Sequence, residues 1–534
     1  MTFDTIIRGG RVHDGLGSTP IRADVGILGD RVSAIGDLYQ AQADRTIDAE
    51  GLAVAPGFID IHGHSDLSCL VGPRCESKVH QGVTTELCGA CGYSPAPISP
   101  ECRAEMQAGQ LVSAVELEWT WLTFAEYLAT VEAAGVSMNT VHLVGHTPIR
   151  QTVMGDETRP ATPDEMEQMA RLVAQGLEEG GVGFSSGLIY PPGSFATTEE
   201  LSRLALEAGR RGRGYYTHIR NEGDHLLEAV DEAIRIGRES GCFVEIAHHK
   251  AAGRSNWGKV HDSVALMERA RAEGVDVKYD VYPYLAGSTT LTAQLPDYVH
   301  EGGRTEMLRR LADPSERARI IEALGGEEPP TGDGEDRWAA VMVAGVHGEA
   351  DRHLEGMTVR EIATLWGRPA IETMMDLLLA NDGRVTSVNF GMCEDDMEFV
   401  LSHPLAAVGS DSSAISAVDG VRYGKPHPRA YGTFPRVLGQ LSRDRSLMPL
   451  PEAVRKMTSE PAARLRLRDR GVLREGVFAD VTVFDPRTIA DQATYREPHC
   501  FPSGIPYVLV NGRVVVAQST HTDAPAGRVL RPEG

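Results

Sequence analysis

The fold is decided by the stretch Pro56-Gly57-Phe58-Ile59-Asp60-Ile61-His62-Gly63-His64, in which an apolar run with strand character ends in two histidines two residues apart. Residues i and i+2 of a strand project from the same face, so both imidazoles can converge on one metal ion. Two solvent-facing histidines after a buried strand are the alternative. A His-x-His pair alone favours that alternative, and only ligands elsewhere in the chain reverse the interpretation.

Further candidate ligands follow other apolar runs with β propensity, and they are Cys91, His218, His248 and Asp411. A barrel of parallel strands places its C-terminal strand ends around one mouth, where ligands far apart in sequence can meet. Cysteine, histidine and aspartate are ligand types that zinc accepts. The sequence therefore predicts a metal centre at the mouth of an α/β barrel.

The order of these motifs resembles that of the amidohydrolase superfamily, in its D-aminoacylase or N-acyl-D-amino-acid deacylase branch. The similar motifs span nearly the whole chain and are Gly57 to His64, Gly89-Ala90-Cys91-Gly92, His248-His249-Lys250, Gly409-Ser410-Asp411 and the run from His427-Pro428-Arg429 to Arg436. The resemblance implies a TIM-like (β/α)8 metal-dependent hydrolase barrel and a small discontinuous β-domain built from the two chain ends. It also implies zinc-dependent hydrolysis of N-acyl amino acids, in particular N-acyl-D-amino acids.

The resemblance assigns the metal ligands to two sites. A tightly bound zinc ion would be held by Cys91, His218 and His248. A second, weaker ion would be held by His62, His64 and Asp411. Asp411 would also orient the water, take its proton and deliver it to the departing amine.

The resemblance also implies how a substrate carboxylate is held on an acidic protein. Lys250 and Arg429 match positions that grip this group, and a guanidinium can hold a carboxylate with two parallel hydrogen bonds. Polar contacts are implied for Tyr190, Tyr282 and Ser288. The expected partner is thus a small molecule with a free carboxylate.

Several further candidates are expected to lie outside the metal centre. His249 competes with His248, but adjacent strand residues point to opposite faces, and the resembled pattern selects His248. Cys88, the first cysteine of a C-x-x-C pair with Cys91, is expected to pack as a small apolar residue. His142 and His146 also end a strand but lack a matching motif, so they are expected to be structural or to support the metal ligands.

Lysine usage separates this chain from cyclic-amide hydrolases. The related dihydroorotases and hydantoinases bridge two metals with a carbamylated lysine on a middle barrel strand, and no lysine occurs between Lys78 and Lys250. A hydantoinase-like activity, a dipeptide-like amide substrate and a non-catalytic scaffold stay as alternatives. The scaffold is disfavoured because every candidate ligand is present.

Composition limits the partners and the compartment. The 534 residues are 42% hydrophobic and 24% charged, with a formal net charge of -23. Phosphate binding needs clustered Lys and Arg, so a nucleic-acid partner is not expected. The sequence has no long apolar segment or basic, apolar leader, and its eight cysteines show no paired spacing. We therefore expect a cytoplasmic protein with reduced thiols that does not bind membranes.

Alternating strand and helix patterns indicate the domain organisation. The barrel is predicted at 57–464, and the small β-sandwich domain at 1–56 and 465–534. Strand candidates lie near 58–62, 83–88, 139–145, 181–186, 214–218, 243–248, 275–281, 385–390 and 406–410, one more than eight, and the place of 385–390 stays open. An insertion at about 292–355 is predicted to be a lid.

The segment from Ser412 to Pro428 is longer than the resemblance to the D-aminoacylase branch implies. Because this loop borders the predicted pocket, the acyl group, the preferred side chain and the D or L preference stay open.

Overall fold

The computed structural model describes residues 2–108, 117–326, 336–417, 421 and 423–532. Its strands are β1 (Thr2–Val12), β2 (Ile21–Leu28), β3 (Arg31–Gly36), β4 (Gln42–Asp48), β5 (Ala53–Pro56), β6 (Phe58–Asp60), β7 (Val83–Cys88), β8 (Asn139–His142), β9 (Val144–Gly145), β10 (Gly183–Gly187), β11 (Gly214–His218), β12 (Val244–Ile246), β13 (Val277–Val281), β14 (Ala286–Thr290), β15 (Val341–Val346), β16 (Val385–Phe390), β17 (Ala406–Val408), β18 (Val481–Phe484), β19 (Tyr507–Val510), β20 (Arg513–Ala517) and β21 (Thr520–His521).

The helices are α1 (Ser68–Val71), α2 (Glu76–Val79), α3 (Pro100–Ala108), α4 (Phe124–Ala134), α5 (His146–Met154), α6 (Pro163–Glu178), α7 (Thr198–Gly209), α8 (Leu226–Ser240), α9 (Lys259–Ala272), α10 (Gly303–Ala312), α11 (Pro314–Ala323), α12 (Val359–Trp366), α13 (Ala370–Ala380), α14 (Glu394–Ser402), α15 (Arg429–Arg436), α16 (Leu450–Lys456) and α17 (Ser459–Arg464), and a π-helical stretch covers Val437–Asp444. Among the described residues, no helix is both long and apolar enough to cross a membrane.

Parallel strands form a closed barrel. Within the described ranges, its eight strand positions are β6, β7, β8 continued as β9, β10, β11, β12, β13 and β17. The ring closes between β17 and β6, where Asp411 N donates to His62 O at 2.8 Å and His64 N donates to Ser412 O at 3.1 Å. This is the predicted (β/α)8 barrel, and its closing seam carries three of the predicted ligands.

Side-chain alternation along the strands separates the barrel interior from the layer beneath the helices. Leu87, Val141, Leu143 and Tyr216 belong to one buried interior cluster. Their strand neighbours, such as Phe184 and Tyr215, pack in the larger cluster that includes the helices. The alternation follows from the two-residue period of a strand.

The two chain ends share one sheet. Its strand order is β21-β20-β19-β18-β5-β1-β2-β3, with β4 paired to β1. Ile7, Val25, Val54, Val481 and Leu509 pack together in its buried core. We propose 1–56 and 465–534 as the bounds of this domain.

The strand at 385–390 lies outside the barrel. As β16 it pairs antiparallel with β14 and β15, in a three-stranded sheet. Helices α10 to α13 pack beside this sheet around a separate apolar core. Part of the predicted 292–355 insertion, residues 327–335, lies outside the described residues, and its role as a lid stays a prediction.

Candidate metal centre and active site

The predicted metal ligands all lie at the C-terminal ends of barrel strands. His62 and His64 follow β6, Cys91 follows β7, His218 ends β11, His248 follows β12 and Asp411 follows β17. The positive φ angles are 53° at Cys91, 36° at His248 and 50° at Asp411. Such values are uncommon for residues other than glycine and cluster at functional sites, where a sharp turn aims the side chain.

A glycine makes the turn at Cys91 possible. Gly89 has a φ of 79°, and a Cβ atom there would lie 2.4 Å from Leu143 O on the neighbouring strand. Only glycine fits both the backbone conformation and the space. The Gly89-Ala90-Cys91-Gly92 motif therefore brings a thiol over the barrel mouth.

The structure brings Cys91, His218 and His248 together as one group. Their ligand atoms all lie within 4.8 Å of one another. His248 Nε2 is 2.9 Å from His218 Nδ1 and 3.7 Å from Cys91 Sγ. All three residues are buried.

A second group adjoins the first through the same thiol and contains His62, His64, Cys91 and Asp411. Asp411 Oδ1 lies 3.1 Å from His64 Nε2 and 3.5 Å from His62 Nε2. Cys91 Sγ is 3.3 Å from His62 Nε2. Cys91 therefore belongs to both groups of ligand atoms, and its sulfur would be available to a metal ion in either.

Two of the ligands are held in their anionic forms. Burial raises the pKa of the Cys91 thiol, but the neighbouring imidazoles outweigh burial and hold that pKa well below its usual range. Burial likewise raises the pKa of Asp411. The Arg429 guanidinium and the nearby histidines outweigh burial, so that this pKa lies well below its usual range. A thiolate and a carboxylate are the forms that bind a cation.

Asp280 is a site residue that the sequence interpretation missed. Both of its carboxylate oxygens lie 3.0 Å from His62 Nδ1, and its Oδ1 accepts from His248 N at 2.9 Å. A carboxylate on the far nitrogen fixes the ring orientation and directs His62 Nε2 to the metal centre. The available signal was an acidic residue near the end of the predicted strand 275–281.

Glu222 is a second missed residue, four positions after His218. Its Oε1 lies 2.9 Å from His248 Nδ1 and 2.5 Å from Lys250 Nζ. It therefore orients a ligand imidazole and holds the lysine predicted to bind substrate. His249 points the other way, with its Nε2 2.9 Å from Ser263 Oγ on α9.

Lys78 supports the metal centre from below. Its ammonium is fully buried and donates to Asp60 Oδ2 at 2.7 Å, Ser410 Oγ at 2.7 Å and Ser412 O at 2.9 Å. Asp60 Oδ1 in turn accepts from Ser410 N at 2.8 Å. Lys78 thus joins the end of β6 to the end of β17.

The predicted carboxylate-binding side chains converge beside Asp411. Arg429 Nη1 lies 2.7 Å from Asp411 Oδ2, and Arg429 Nη2 donates to the backbone oxygen of Ser288 at 3.1 Å. The guanidinium carbon lies 4.7 Å, and Lys250 Nζ 5.8 Å, from the centre of the Tyr282 ring. Ser288 therefore contacts Arg429 through its backbone.

Tyr190 lies on the same side of the centre. Its ring is 5.1 Å from the His218 ring, edge to face, and its hydroxyl lies 2.9 Å from Thr289 Oγ1 on β14. The contact joins the loop after β10 to the antiparallel sheet of β14, β15 and β16, which flanks the predicted insertion. Tyr190 thus borders the centre and the insertion at once.

Comparison with known proteins agrees with this arrangement. An amidohydrolase family model matches residues 45–516. The N-acyl-D-glutamate deacylase of Alcaligenes xylosoxydans xylosoxydans is 39% identical over 534 residues, covering 99% of this chain and 96% of that relative. The D-aminoacylase of the same organism is 37% identical over 528 residues, covering 99% of this chain and 97% of that relative.

A solved structure is also similar over the full length. The N-acyl-D-glutamate deacylase from Bordetella bronchiseptica, in complex with zinc and a phosphonate inhibitor that mimics the tetrahedral intermediate, matches with a TM-score of 0.84 and 35% identity over 100% of both chains. Fold and site together define an enzyme of the metal-dependent hydrolase class that acts on amides. With this coverage and identity, the chain belongs to the amidohydrolase family, which confirms the resemblance.

Proposed function

We propose that this protein hydrolyses the amide bond of N-acyl-D-amino acids and releases a carboxylate and a free D-amino acid. The named relatives act on substrates of this type, and they cover this chain almost completely. The substrate is then a linear amide with a free carboxylate next to the scissile nitrogen.

The donor atoms present fit zinc. Cys91, His218 and His248 would hold one ion through a thiolate and two imidazoles, and His62, His64 and Asp411 would hold a second. When bound, zinc supplies a Lewis acid that polarises a carbonyl and makes water a nucleophile near neutral pH. We expect the first set to bind more tightly, because thiolate suits zinc better than carboxylate does.

Asp411 is the proposed proton carrier. Its Oδ1 faces His62 and His64, and its Oδ2 faces Arg429, so one carboxylate spans the metal-binding and substrate-binding sides of the site. It takes a proton from the attacking water as the C–O bond forms. It then gives that proton to the amine nitrogen as the C–N bond breaks.

The observation that carries the proposal is a set of buried donors without partners beside Asp411. Within the described residues, Arg429 Nε and the hydroxyl of Tyr282 make no hydrogen bond, whereas Arg429 Nη1 is already paired with Asp411. A buried polar group left unsatisfied costs about 1–3 kcal/mol. These donors therefore suit a ligand carboxylate, and Lys250 adds a second positive charge.

Kinetics on matched pairs of N-acetyl-D and N-acetyl-L amino acids, with zinc-loaded protein, tests the proposal. Neutral, aspartate and glutamate side chains should be included, because the similar proteins are named N-acyl-D-glutamate deacylase, N-acyl-D-aspartate deacylase and D-aminoacylase. Part of the segment 412–428, residues 418–420 and 422, lies outside the described residues, so its effect on substrate preference stays a prediction. We expect hydrolysis of D substrates. Turnover of hydantoins or dihydropyrimidines with none of the linear D amides would overturn it. A cytoplasmic location stays a prediction.

A further inference from the structure

A second group of metal-ligand side chains lies outside the barrel mouth. Cys88 and His142 are directly paired across β7 and β8. Their strand neighbours Leu87 and Val141 point into the barrel interior. Because alternate strand residues face opposite sides, Cys88 and His142 lie side by side in the layer beneath the helices.

Asp66 completes this group from the loop after β6. One carboxylate oxygen of Asp66, the Cys88 sulfur and one His142 ring nitrogen lie within 4.8 Å of one another. The three residues are 9%, 0% and 1% exposed. In the part of the chain that the structure describes, Asp66 Oδ1 and His142 Nε2 have no hydrogen-bond partner.

Tyr127 on α4 determines which His142 nitrogen is free. The Tyr127 hydroxyl donates to Asp66 O at 2.9 Å, so its oxygen is left to accept from His142 Nδ1 at 3.4 Å. The proton then sits on Nδ1 and the lone pair on Nε2. A hydrogen bond at the second ring nitrogen is the usual support for a metal-binding histidine.

We propose that Asp66, Cys88 and His142 form a buried zinc site that is separate from the catalytic centre. A cation would satisfy the Asp66 oxygen and the His142 lone pair, which are otherwise buried acceptors. Thiolate, imidazole and carboxylate are the ligand types of zinc, with bonds of about 2.0–2.3 Å. Zinc binding at this site releases the thiol proton of Cys88 to solvent.

The C-x-x-C pair then serves two metal sites. Cys91 turns into the barrel mouth, whereas Cys88 faces the helix layer. The ion would also fix the position of the loop after His64, because its proposed ligand Asp66 lies in that loop, two residues beyond His64. Its role is structural: it ties that loop to the ends of β7 and β8.

Elemental analysis of purified variants tests the site without any substrate. Cys88→Ser and His142→Ala should each bind about one zinc fewer per chain than the wild type after equal zinc loading. Cys242→Ser is the matched control, because Cys242 is also a buried thiol, bonded to Ala205 O at 3.1 Å, and belongs to no ligand group in the described residues. Equal zinc content in wild type, Cys88→Ser and His142→Ala would overturn the proposal.

Crystals of the wild-type protein, grown after zinc loading, keep the test independent of variant folding. Diffraction data on both sides of the zinc absorption edge should give an anomalous peak between Asp66, Cys88 and His142, besides the peaks at the catalytic centre. An ordered water without anomalous signal, or a direct contact among the three side chains, would contradict a metal site there.

Discussion

Arg429 Nη1 lies 2.7 Å from Asp411 Oδ2, so the cation proposed to bind the substrate carboxylate also pairs with the proposed proton carrier. Both side chains are buried. A substrate carboxylate at Arg429 would share the guanidinium and weaken its hold on Asp411. Asp411 would then accept a proton more readily, which couples substrate binding to proton transfer.

Arg429→Met should lower kcat/KM on an N-acyl-D-amino acid. Losing a charge-assisted hydrogen bond in a buried site costs on the order of 1.5–3 kcal/mol, roughly tenfold to more than a hundredfold. The same variant should lose less on the C-terminally amidated analogue, because only the pairing of Arg429 with Asp411 is removed there. The wild type should already hydrolyse this analogue poorly. Steady-state kinetics of both enzymes on both substrates makes the comparison.

Arg436→Met is the control for Arg429→Met. Arg436 donates to Pro283 O at 2.8 Å and pairs with Asp491 at 3.0 Å, away from the metal ligands. The Arg436→Met variant should therefore keep the preference for the free acid over the amidated analogue. Equal wild-type rates on acid and amide would refute carboxylate recognition by Arg429.

Asp411→Asn should keep the fold and lose most turnover. The change is nearly isosteric but removes the proton carrier, and such a group contributes about 10²–10⁴-fold to the rate. The loss should appear in kcat more than in KM. A zinc-loaded Asp411→Asn variant with near-normal kcat across the pH range would remove this residue from the acid-base role.

Lys78→Met should weaken the second metal site selectively. Removing one partner of a buried ion pair costs about 3–5 kcal/mol, and here it frees the ends of β6 and β17, which carry His62, His64 and Asp411. Zinc titration should show a larger loss of affinity at this site than at the Cys91 site.

The control for Lys78→Met is Lys456→Met. Lys456 is equally buried at the other end of β17, where its ammonium donates to His403 O at 2.5 Å and Ala406 O at 3.2 Å. The Lys456→Met variant should be less stable, but it should bind zinc at both proposed sites of the catalytic centre as tightly as the wild type. If both lysine variants changed second-site affinity alike, the effect of Lys78 would be general destabilisation.

The sequence predicted which candidate ligands lie together, because each follows an apolar run and parallel strands bring such ends together. The strand at 385–390 could not be placed, since its apolar pattern does not distinguish a barrel strand from β16 of an antiparallel sheet. Asp280, Glu222 and Lys78 were missed for another reason. Their roles depend on partners far away in sequence, so the local pattern shows at most an acidic residue near a strand end, as at Asp280, and does not assign a role.

The turns at the ligands were also beyond local prediction. Nothing in the sequence around His248 and Asp411 indicates a positive φ, whereas the glycine at position 89 is a residue type that favours one. The barrel imposes these conformations by fixing where each strand ends. Tertiary packing therefore decided what residue type alone left open.

The central claim is that zinc at Cys91, His218 and His248 supports hydrolysis of an N-acyl-D-amino acid. The most direct measurement titrates chelated protein with zinc while following hydrolysis of an N-acetyl-D-amino acid, with elemental analysis at each step and Cys91→Ala in parallel. We predict that the chelated wild type is inactive and regains activity as zinc binds. The Cys91→Ala variant should stay inactive when zinc is added. If protein shown to have no metal at the catalytic centre hydrolysed the substrate as fast as the zinc-loaded protein, this role of zinc would be contradicted.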